Sequence, residues 1–331
     1  MRIFSGIQPT GRKHLGNYIG AISQYVHLQE EGDPAIYCVV DLHATTVSYD
    51  PAELRSTFYD TTAILLASGL DPGRCMLFRQ SDVPEHTELT WLLAATATAH
   101  GDLNRMTQFK EKSEKQRELV SAGLFLYPVL MAADILAYKA DLVPVGDDQR
   151  QHLELAREIA NKFNNRFGET FTVPEWRIPE VGARIMDLQS PENKMSTTSG
   201  SEAGTVYVLD EPRKIEKKFK SAVTDSGSEV VRSPEKPGIS NLIEILAVVR
   251  GASMQDIEDE FSATRYGDFK QAVADAVIEY LAPVQDKYAE LRADEAELER
   301  ILAAGADKAR AIAGPIVAGA RDRMGLGRPV A

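Results

Sequence analysis

The sequence has little cysteine and no long apolar run, and both shortages narrow the class of protein. Its 331 residues include only two cysteines, Cys38 and Cys75, which are too few for a disulfide framework and form no C-x-x-C pair for zinc. Its first residues lack the apolar run of a secretory signal, and no later stretch is apolar for long enough to span a bilayer. We therefore expect a protein of the reduced cytoplasm.

Several familiar nucleotide and metal motifs are also absent. The sequence has no G-x-x-x-x-G-K-[ST] run, no G-x-G-x-x-G run after an apolar strand and no H-E-x-x-H run. These absences argue against P-loop hydrolysis, against dinucleotide oxidoreduction and against the commonest kind of zinc protease.

Positive charge is in deficit, since the net charge is −12 at pH 7. A molecule this acidic repels nucleic acid at long range, although RNA contacts depend on local patches rather than on the total. One such patch, residues 213–220, carries five cations in a short helical pattern. A solvated helix face and an RNA contact explain this run equally well, so both interpretations stay open.

The apolar pattern predicts a doubly wound α/β fold. Residues 2–7 and 35–43 are predicted strands, because continuous apolar runs of this length suit a parallel sheet covered on both faces. An amphipathic helix lies between them, and residues 76–78 form the next strand. The helix before that strand has Asp50 as its N-cap and Gly69 as its stop. This alternation of strand and helix predicts a parallel sheet with helices on both faces.

The middle of the chain is predicted to be mostly helical. Residues 84–140 form a helical insertion, residues 142–146 return to strand, and a helix that Asp148 can cap runs to about Gly168. Residues 189–204 are rich in Ser, Thr, Gly and Lys, so we expect a mobile loop that cannot bury itself.

The last third is predicted to be helical from Asp210 almost to its end. Its predicted breaks lie near Gly251, Gly267 and Pro283. We place a soft domain boundary near residue 190, so that residues 1–190 form the catalytic α/β domain with its helical insertion. Residues 191–331 then form a mobile loop followed by a helical region.

The segment after the first strand has the residues that a nucleotide site requires. A polar turn at residues 8–11 leads to His14, Gly16 and Asn17 at the start of the first helix. Ligands of open α/β sheets bind at the carboxyl ends of strands, where helix N-termini offer N–H groups to phosphates. Gly16 lets a nucleotide approach the backbone, and the other two side chains can donate to phosphate oxygens. A plain surface turn before an amphipathic helix is the alternative, and the short motif leaves it open.

A second short run, K-M-S-T-T at residues 194–198, lies in the predicted loop. Lys194 can swing in to meet a polyphosphate, and the hydroxyl groups add neutral donors. A lid of this kind closes on ATP and completes the site only when substrate is present. A Ser/Thr-rich linker with one lysine is the alternative, so the run has weight mainly when paired with the first.

Together these two runs resemble HIGH and KMSKS, the signature motifs of class I aminoacyl-tRNA synthetases. Six segments, in order over essentially the whole chain, resemble the bacterial tryptophanyl-tRNA synthetase family in particular. They are S-G-I-Q-P-T-G at 5–11, G-N-Y-I-G at 16–20, M-T-Q-F-K-E-K at 106–112, M-A-A-D-I-L at 131–136, V-G-D-D-Q at 145–149 and P-G-I-S-N-L at 237–242. The resemblance implies a Rossmann-like catalytic fold with a helical insertion, followed by a mostly α-helical C-terminal domain.

The resemblance also implies roles for individual residues. The catalytic residues would be His14, Asn17, Lys112 and Lys194. ATP would be held by Gln8, Pro9, Thr10, Gly16, Asn17, Gly146, Asp147, Asp148, Ile185, Lys194, Met195, Ser196, Thr197 and Thr198. Tryptophan would be held by Phe4, His43, Tyr127, Met131, Asp134, Val143, Val145 and Gln149. Mg²⁺ would be carried by ATP, with no metal site of the protein's own.

One helix face gives physical support for that amino-acid pocket. Tyr127, Met131, Asp134 and Tyr138 recur at helical spacing. A buried carboxylate among aromatic and thioether groups is costly without a partner, and an indole N–H would be such a partner. The residues alone favour a core helix whose aspartate has an internal partner, whereas the resemblance favours the ligand role. Phenylalanine would then leave Asp134 unpaired, at a cost of about 1–3 kcal/mol or more.

The second motif departs from the family's pattern. Thr197 stands where the family has a second lysine, so the loop brings one cation to the departing pyrophosphate. We hypothesise that Lys110 and Lys112 share this load with Lys194 and Mg²⁺. The first motif ends in Asn17 rather than histidine, as is usual in the tryptophan and tyrosine branch of the class.

The resemblance implies a homodimeric ligase that makes tryptophanyl-adenylate from tryptophan and ATP and then transfers tryptophan to the 3′ end of its tRNA. We expect the anticodon to bind the helical region after residue 190, with contact candidates in 213–220, and no contact with membrane or DNA. The alternatives are a tyrosyl-tRNA synthetase, a small-molecule adenylyltransferase and a non-catalytic RNA-binding relative. The intact His14 and Lys194 argue against the last of these.

Overall fold

The computed structural model describes residues 1–30, 35–106, 121–146, 149–177, 184–197 and 200–328. The strands are β1 (Phe4–Ile7), β2 (Ile36–Val39), β3 (Met76–Arg79), β4 (Leu142–Pro144) and β5 (Glu175–Arg177). The helices are α1 (Leu15–Asn17), α2 (Ser23–Leu28), α3 (Asp41–Ala44), α4 (Pro51–Ala67), α5 (Glu85–Thr96), α6 (His100–Asn104), α7 (Ala122–Leu136), α8 (Arg150–Phe167), α9 (Pro212–Lys220), α10 (Pro237–Arg250), α11 (Met254–Glu260), α12 (Tyr266–Arg292) and α13 (Glu295–Arg323). A π-helical turn (Tyr18–Ile22) joins α1 to α2. No helix in these ranges is long and apolar enough to cross a membrane.

The strands make a parallel arrangement of five. β2 lies between β1 and β3, and β4 pairs with β5, all in parallel. An isolated parallel bridge between Ile3 and Leu142 joins the edge of β1 to the edge of β4. The order across the arrangement is therefore β3-β2-β1-β4-β5, which confirms the predicted doubly wound α/β class. The strand order reverses between β1 and β4, and such folds bind their ligands in the crevice at that point.

Local sequence explains several element boundaries. All four residues of β2 are buried, as expected for a strand covered on both faces. α4 begins where predicted, because the Oδ1 atom of Asp50 accepts hydrogen bonds from the backbone N–H groups of Ala52 and Glu53. Gly69 follows the end of α4 with a φ of 111°, and Gly168 ends α8 with a φ of 96°. Both angles lie in the region that favours glycine.

Other expectations about the elements are wrong. Residues 41–43, predicted as strand, form α3, because the chain turns there and the Asp41 carboxylate accepts hydrogen bonds from Ser81. The apolar pattern does not indicate β5, because two of its three residues are exposed. Residues 221–236 interrupt the predicted helical region with a Ser-rich segment that also contains Gly227 and Pro234. Pro283 lies inside α12 instead of breaking it, since packing of α12 against α4 and α9 offsets the local cost of a proline.

Two hydrophobic clusters cover the two faces of the strands. Tyr37 and Leu77 belong to one cluster, and their neighbours Ile36 and Phe78 belong to the other, as the alternation of strand side chains requires. α13 packs across β3 so closely that a Cβ at Gly305 would collide with the carbonyl oxygen of Leu77. Because α13 contributes residues to both clusters, the domain boundary near residue 190 stays a prediction.

Candidate active site

A reciprocal pair of hydrogen bonds between His14 and Asn17 holds the start of α1, just beyond the carboxyl end of β1. The backbone N–H of Asn17 donates to His14 Nδ1, and the backbone N–H of His14 donates to Asn17 Oδ1, each at 3.2 Å. These bonds leave the Asn17 side-chain NH₂ group without a hydrogen-bond acceptor in the described part of the chain. The first motif thus keeps a donor for a ligand at the mouth of the crevice.

The charge around His14 is positive. Burial, followed by the ammonium groups of Lys194 and Lys13, lowers the pKa of His14 to about 4. The imidazole is therefore neutral at pH 7, and because Nδ1 is an acceptor, the ring proton is on Nε2. A neutral N–H donor near two ammonium groups suits an anionic ligand such as a polyphosphate.

The chain that follows the second run pairs with the first motif. The backbone N–H of Leu15 donates to Val206 O at 2.8 Å, and the backbone N–H of Val208 donates to Lys13 O at 2.9 Å. These two bonds fix residues 206–208 beside the start of α1. The loop at 189–204 is therefore tethered directly to the first motif at its C-terminal end.

Glycines of the first motif contact residues that the resemblance assigns to the nucleotide. A Cβ at Gly16 would lie 3.5 Å from Ile185 Cβ, and a Cβ at Gly11 would lie 3.4 Å from Thr197 Oγ1. Met195 is joined to the same group, because its backbone N–H donates to Ile185 O at 2.9 Å. The structure thus places Ile185 and Thr197, which the resemblance assigns to ATP, beside the turn and helix start at residues 11–16.

Within the loop at 189–204, the described residues up to 197 are held more firmly at the loop's base than the composition predicts. Met195 is buried, so the expectation that no part of this loop buries itself is wrong there. Asp187, at the base of the loop, is buried too, and its Oδ1 atom accepts hydrogen bonds from two backbone N–H groups of the next turn. Gly204 packs against this carboxylate, since a Cβ at that position would collide with it. The mobility of the loop stays a prediction, with Met195 and Asp187 as its anchors.

Asp134 lies at the centre of a buried hydrogen-bond network. Its Oδ1 atom accepts from Gln80 Nε2 at 2.7 Å and from His86 Nδ1 at 2.5 Å, and its Oδ2 atom accepts from His43 Nε2 at 2.9 Å. Burial alone would raise the pKa of Asp134, but the hydrogen bonds from His43 and His86 outweigh it and hold that pKa below its usual range. The carboxylate is therefore ionised at pH 7, and both imidazoles donate to it.

These contacts correct the argument that the helix face supports. Asp134 has three donors within the protein, so phenylalanine in the pocket would not leave it unpaired. The internal partner that the residues alone favour is present. A carboxylate has about four acceptor positions, and the three donors leave one of them, on Oδ2. An indole N–H can take that position as an addition to the network.

Aromatic rings surround this network. The Phe4 ring stacks on Tyr138 with centroids 5.6 Å apart, and the Tyr138 hydroxyl lies 2.7 Å from His86 Nε2. Tyr127 meets His43 edge-on at 6.3 Å. The other predicted tryptophan-binding residues are the buried Val143 and the half-buried Met131, Val145 and Gln149. Except for Gln149, these belong to or pack against the same hydrophobic cluster as Phe4.

Sequence reasoning misses two members of the network, Gln80 and His86. Gln80 directly follows the strand predicted at 76–78, so a polar residue at a strand's carboxyl end was the signal that could have found it. His86 lies in the first turn of α5, and nothing in the local sequence distinguishes it from a surface histidine.

Comparison with known proteins decides the family. Residues 1–282 match the model of the tRNA synthetases class I (W and Y). The chain belongs to this family. It is 53% identical to the tryptophan–tRNA ligase of Oceanobacillus iheyensis, over 98% of this chain and 99% of that protein. The solved tryptophanyl-tRNA synthetase of Mycoplasma pneumoniae superposes with a TM-score of 0.91 at 36% identity, over 98% of both chains. That of Campylobacter jejuni, complexed with ADP and tryptophane, has a TM-score of 0.85 at 36% identity, over 98% of this chain and 100% of that one.

These matches confirm the resemblance and the class of enzyme, while the residue roles in this synthetase stay predictions. Gln8, Thr10 and Gly146 are exposed beyond β1 and β4, and Pro9 is buried between the first two. Ser196 accepts a hydrogen bond at its carbonyl from the backbone N–H of Gly200, at 3.1 Å. Outside the described residues lie Lys110, Lys112, Asp147, Asp148 and Thr198.

The basic run of the synthetase forms α9, and its cations have different roles. Lys218 is buried, and its Nζ donates to Asp210 Oδ2 and to Thr205 O, each at 2.7 Å. Lys220 is exposed and pairs with Glu216 at 2.6 Å. Lys218 is therefore part of the structure rather than an RNA contact. The exposed cations that remain as RNA candidates are Arg213, Lys214, Lys217 and Lys220.

Proposed function

We propose that this synthetase is a tryptophan–tRNA ligase that activates L-tryptophan with ATP and transfers it to tRNA(Trp). One arrangement carries the proposal: the ammonium groups of Lys13 and Lys194 act on the first motif at the carboxyl edge of the sheet, and an ionised carboxylate, Asp134, lies among aromatic rings. A polyphosphate suits the motif, and an indole suits the pocket. The relatives that carry this activity in their names, at about half identity over nearly the whole chain, support the same reaction.

In the first step, a carboxylate oxygen of tryptophan attacks the α-phosphorus of ATP, and the bond to pyrophosphate breaks. The nucleophile is already an anion, so the step needs no general base. Catalysis then consists of positioning and of charge stabilisation. His14 Nε2–H and the Asn17 NH₂ group are the donors available for the phosphate oxygens, and Lys194 supplies a cation.

Recognition of tryptophan would depend on Asp134. Its Oδ2 atom accepts one hydrogen bond from His43, which leaves a position for the indole N–H. The rings of Phe4 and Tyr127 and the side chain of Met131 would enclose the apolar part of the indole. The binding of ADP and tryptophane by the Campylobacter jejuni structure supports this pair of ligands.

In the second step, a hydroxyl of the terminal adenosine of tRNA attacks the carbonyl of the adenylate, and AMP leaves. We place anticodon binding in the helical region after residue 190, where α9 presents exposed cations. An unpaired base of an anticodon loop can stack on the guanidinium of Arg213, and the lysines can pair with its phosphates. We also propose a homodimer whose interface uses the helical insertion, and Trp91, which is 70% exposed on α5, fits that role.

Mg²⁺ belongs to this proposal as a companion of ATP. No group of three or more His, Cys, Asp or Glu residues suited to a metal ion occurs within the described ranges. We propose, as the resemblance implies, that Mg²⁺ arrives on the phosphate oxygens, and no step above depends on a protein ligand to it. The cytoplasmic setting predicted from the sequence is part of the same proposal.

Aminoacylation tests the proposal. The purified chain, supplied with ATP, Mg²⁺, total tRNA and either L-tryptophan or L-tyrosine, should form tryptophanyl-tRNA and little tyrosyl-tRNA. Preferential charging with tyrosine would identify a tyrosyl-tRNA synthetase. Adenylate formation without charging of any tRNA would favour a small-molecule adenylyltransferase, and neither activity would favour a non-catalytic relative.

A further inference from the structure

Lys13 is a buried lysine next to the first motif. Its Nζ donates to Gln8 O at 2.8 Å and to Thr10 O at 3.2 Å, so the ammonium group binds the turn after β1 from its inner side. Only 7% of the residue is exposed. The bonds hold both carbonyl groups toward the protein interior, and they thereby fix the shape of the turn at residues 8–11.

The buried ammonium group lacks a counter-ion of its own. No carboxylate forms an ion pair with Lys13 in the described part of the chain, and the carboxylate whose charge reaches it is Asp60 on α4. That carboxylate is already bound by Tyr288 Oη at 2.9 Å and by Arg292 Nε at 2.7 Å, both on α12. Toward the site, the charge of Lys13 acts on His14, on which the charge of Lys194 also acts. A buried cation without a counter-ion is costly, even with carbonyl acceptors, and gains from an anion that binds nearby.

The geometry of the turn directs its opposite side outward. The peptide between Thr10 and Gly11 is trans, so its N–H points away from its C=O and hence away from Lys13. Gly11 is exposed, has a φ of 63°, and its N–H meets no acceptor in the described part of the chain. An outward N–H in a left-handed turn is a common element of anion sites.

We infer that Lys13 is a positioning residue for the nucleotide phosphates. It holds the turn at residues 8–11 so that Gly11 N–H faces the phosphates, and its charge partly replaces the second cation that Thr197 does not supply. The inference rests on the proposed function insofar as the bound anion is ATP. The charge that the family places on a lysine at position 197 would come in part from Lys13, beside the first motif.

Burial lowers the pKa of Lys13 to about 8, although Asp60 raises it in part. The charged form therefore predominates below pH 8, and the neutral form predominates above it. If the charge attracts ATP, affinity for ATP falls as the pH rises through 8. Folding stability changes in the opposite direction. Between about pH 8 and the unfolded lysine pKa of about 10.4, the unfolded state binds more protons, so the free energy of unfolding rises with pH. A purely structural lysine would therefore not weaken ATP binding over this range.

Titration calorimetry of ATP with the full-length chain, at pH 7 and at pH 9, tests the inference. We expect wild-type affinity to fall about tenfold between these values, since a group with a pKa near 8 is mostly charged at the first and mostly neutral at the second. Lys13→Met should bind ATP about tenfold more weakly than wild type at pH 7 and should show no further loss at pH 9. Its KM for tryptophan should stay near the wild-type value.

Lys270→Met is the matched control. Lys270 is half-buried on α12, its Nζ donates to Ala222 O at 2.8 Å, and burial lowers its pKa as well. This variant should keep wild-type affinity and wild-type pH dependence. Unchanged ATP affinity in a folded Lys13→Met variant would overturn the inference. If that variant does not fold, a wild-type affinity that is equal at both pH values overturns it. Wild-type ATP binding without tryptophan-dependent exchange would instead refute the proposed function alone.

Discussion

Replacing Asp134 with asparagine tests the amino-acid pocket at its centre. The three groups that face its carboxylate are all donors, from His43, Gln80 and His86. Asparagine has one oxygen, so its NH₂ group must face at least one of these donors. The least costly arrangement turns it toward His43, whose ring can move its proton to the other nitrogen. The acceptor position left on Oδ2 then becomes a donor, which cannot bind an indole N–H.

The expected loss follows from that one position. A hydrogen bond to a charged group is worth about 1.5–3 kcal/mol, which corresponds to roughly 10- to 150-fold in affinity. We therefore expect the KM for tryptophan in ATP–pyrophosphate exchange to rise by about this factor in Asp134→Asn. The KM for ATP should stay nearly unchanged, because none of the predicted nucleotide-binding residues belongs to the network around Asp134.

Asp225→Asn is the matched control for this assay. Asp225 also accepts hydrogen bonds from a backbone N–H, that of Gly227 at 2.7 Å, and from a hydroxyl, that of Tyr266 at 3.0 Å, but it lies outside the pocket. This variant should retain both KM values. An unchanged KM for tryptophan in Asp134→Asn, or an equal rise of both KM values, would refute the reasoning.

Two further predictions concern the frame around the site. Lys218→Met should lower the free energy of unfolding in urea by about 1.5–3 kcal/mol, because the buried Asp210 carboxylate loses one of its two cationic partners and keeps Arg12. Lys220→Met removes an exposed ion pair from the same helix and should cost much less, so equal losses would contradict the assignment. Gly204→Ala should reduce the exchange rate, because its Cβ would push the loop away from Asp187. Gly319→Ala, where a Cβ meets open space, should leave the rate unchanged, and similar rates for both variants would show that the loop tolerates the shift.

Rules that act over a few neighbouring residues predict the elements whose limits are set locally. The apolar runs that become β1, β2 and β3 are visible because a strand covered on both faces is apolar throughout. The start of α4 at Asp50 and its end before Gly69 are set by hydrogen bonds and backbone angles within a few residues. The same holds for the reciprocal bonds between His14 and Asn17, since donor and acceptor lie three residues apart.

The partners of Asp134 are beyond such rules. They follow β2, follow β3 and lie on α5, so they meet only after the whole sheet has formed. The spacing of Tyr127, Met131 and Asp134 predicts that they share one face of α7. It does not predict which three donors meet the carboxylate. For that reason the residues alone predict an internal partner for Asp134, as the structure has it, but they identify none of its three donors.

The burial of Lys218 and of Lys13 also depends on contacts that form only in the folded chain. In the sequence each is one cation among several near-identical neighbours, and a lysine is more often exposed than buried. The acceptors that hold them lie outside any helix, in residues 205–210 for Lys218 and in the turn at residues 8–10 for Lys13. Charge counts along the sequence therefore overestimate the basic surface of α9 and miss the buried cation beside the first motif.

ATP–pyrophosphate exchange by the purified wild-type chain tests the central claim most directly, because it requires the nucleotide motif and the amino-acid pocket to act on one phosphorus atom. We predict exchange that depends on L-tryptophan and is not supported by L-tyrosine at the same concentration. Exchange that tyrosine supports equally well, or no exchange with either amino acid, would contradict the account.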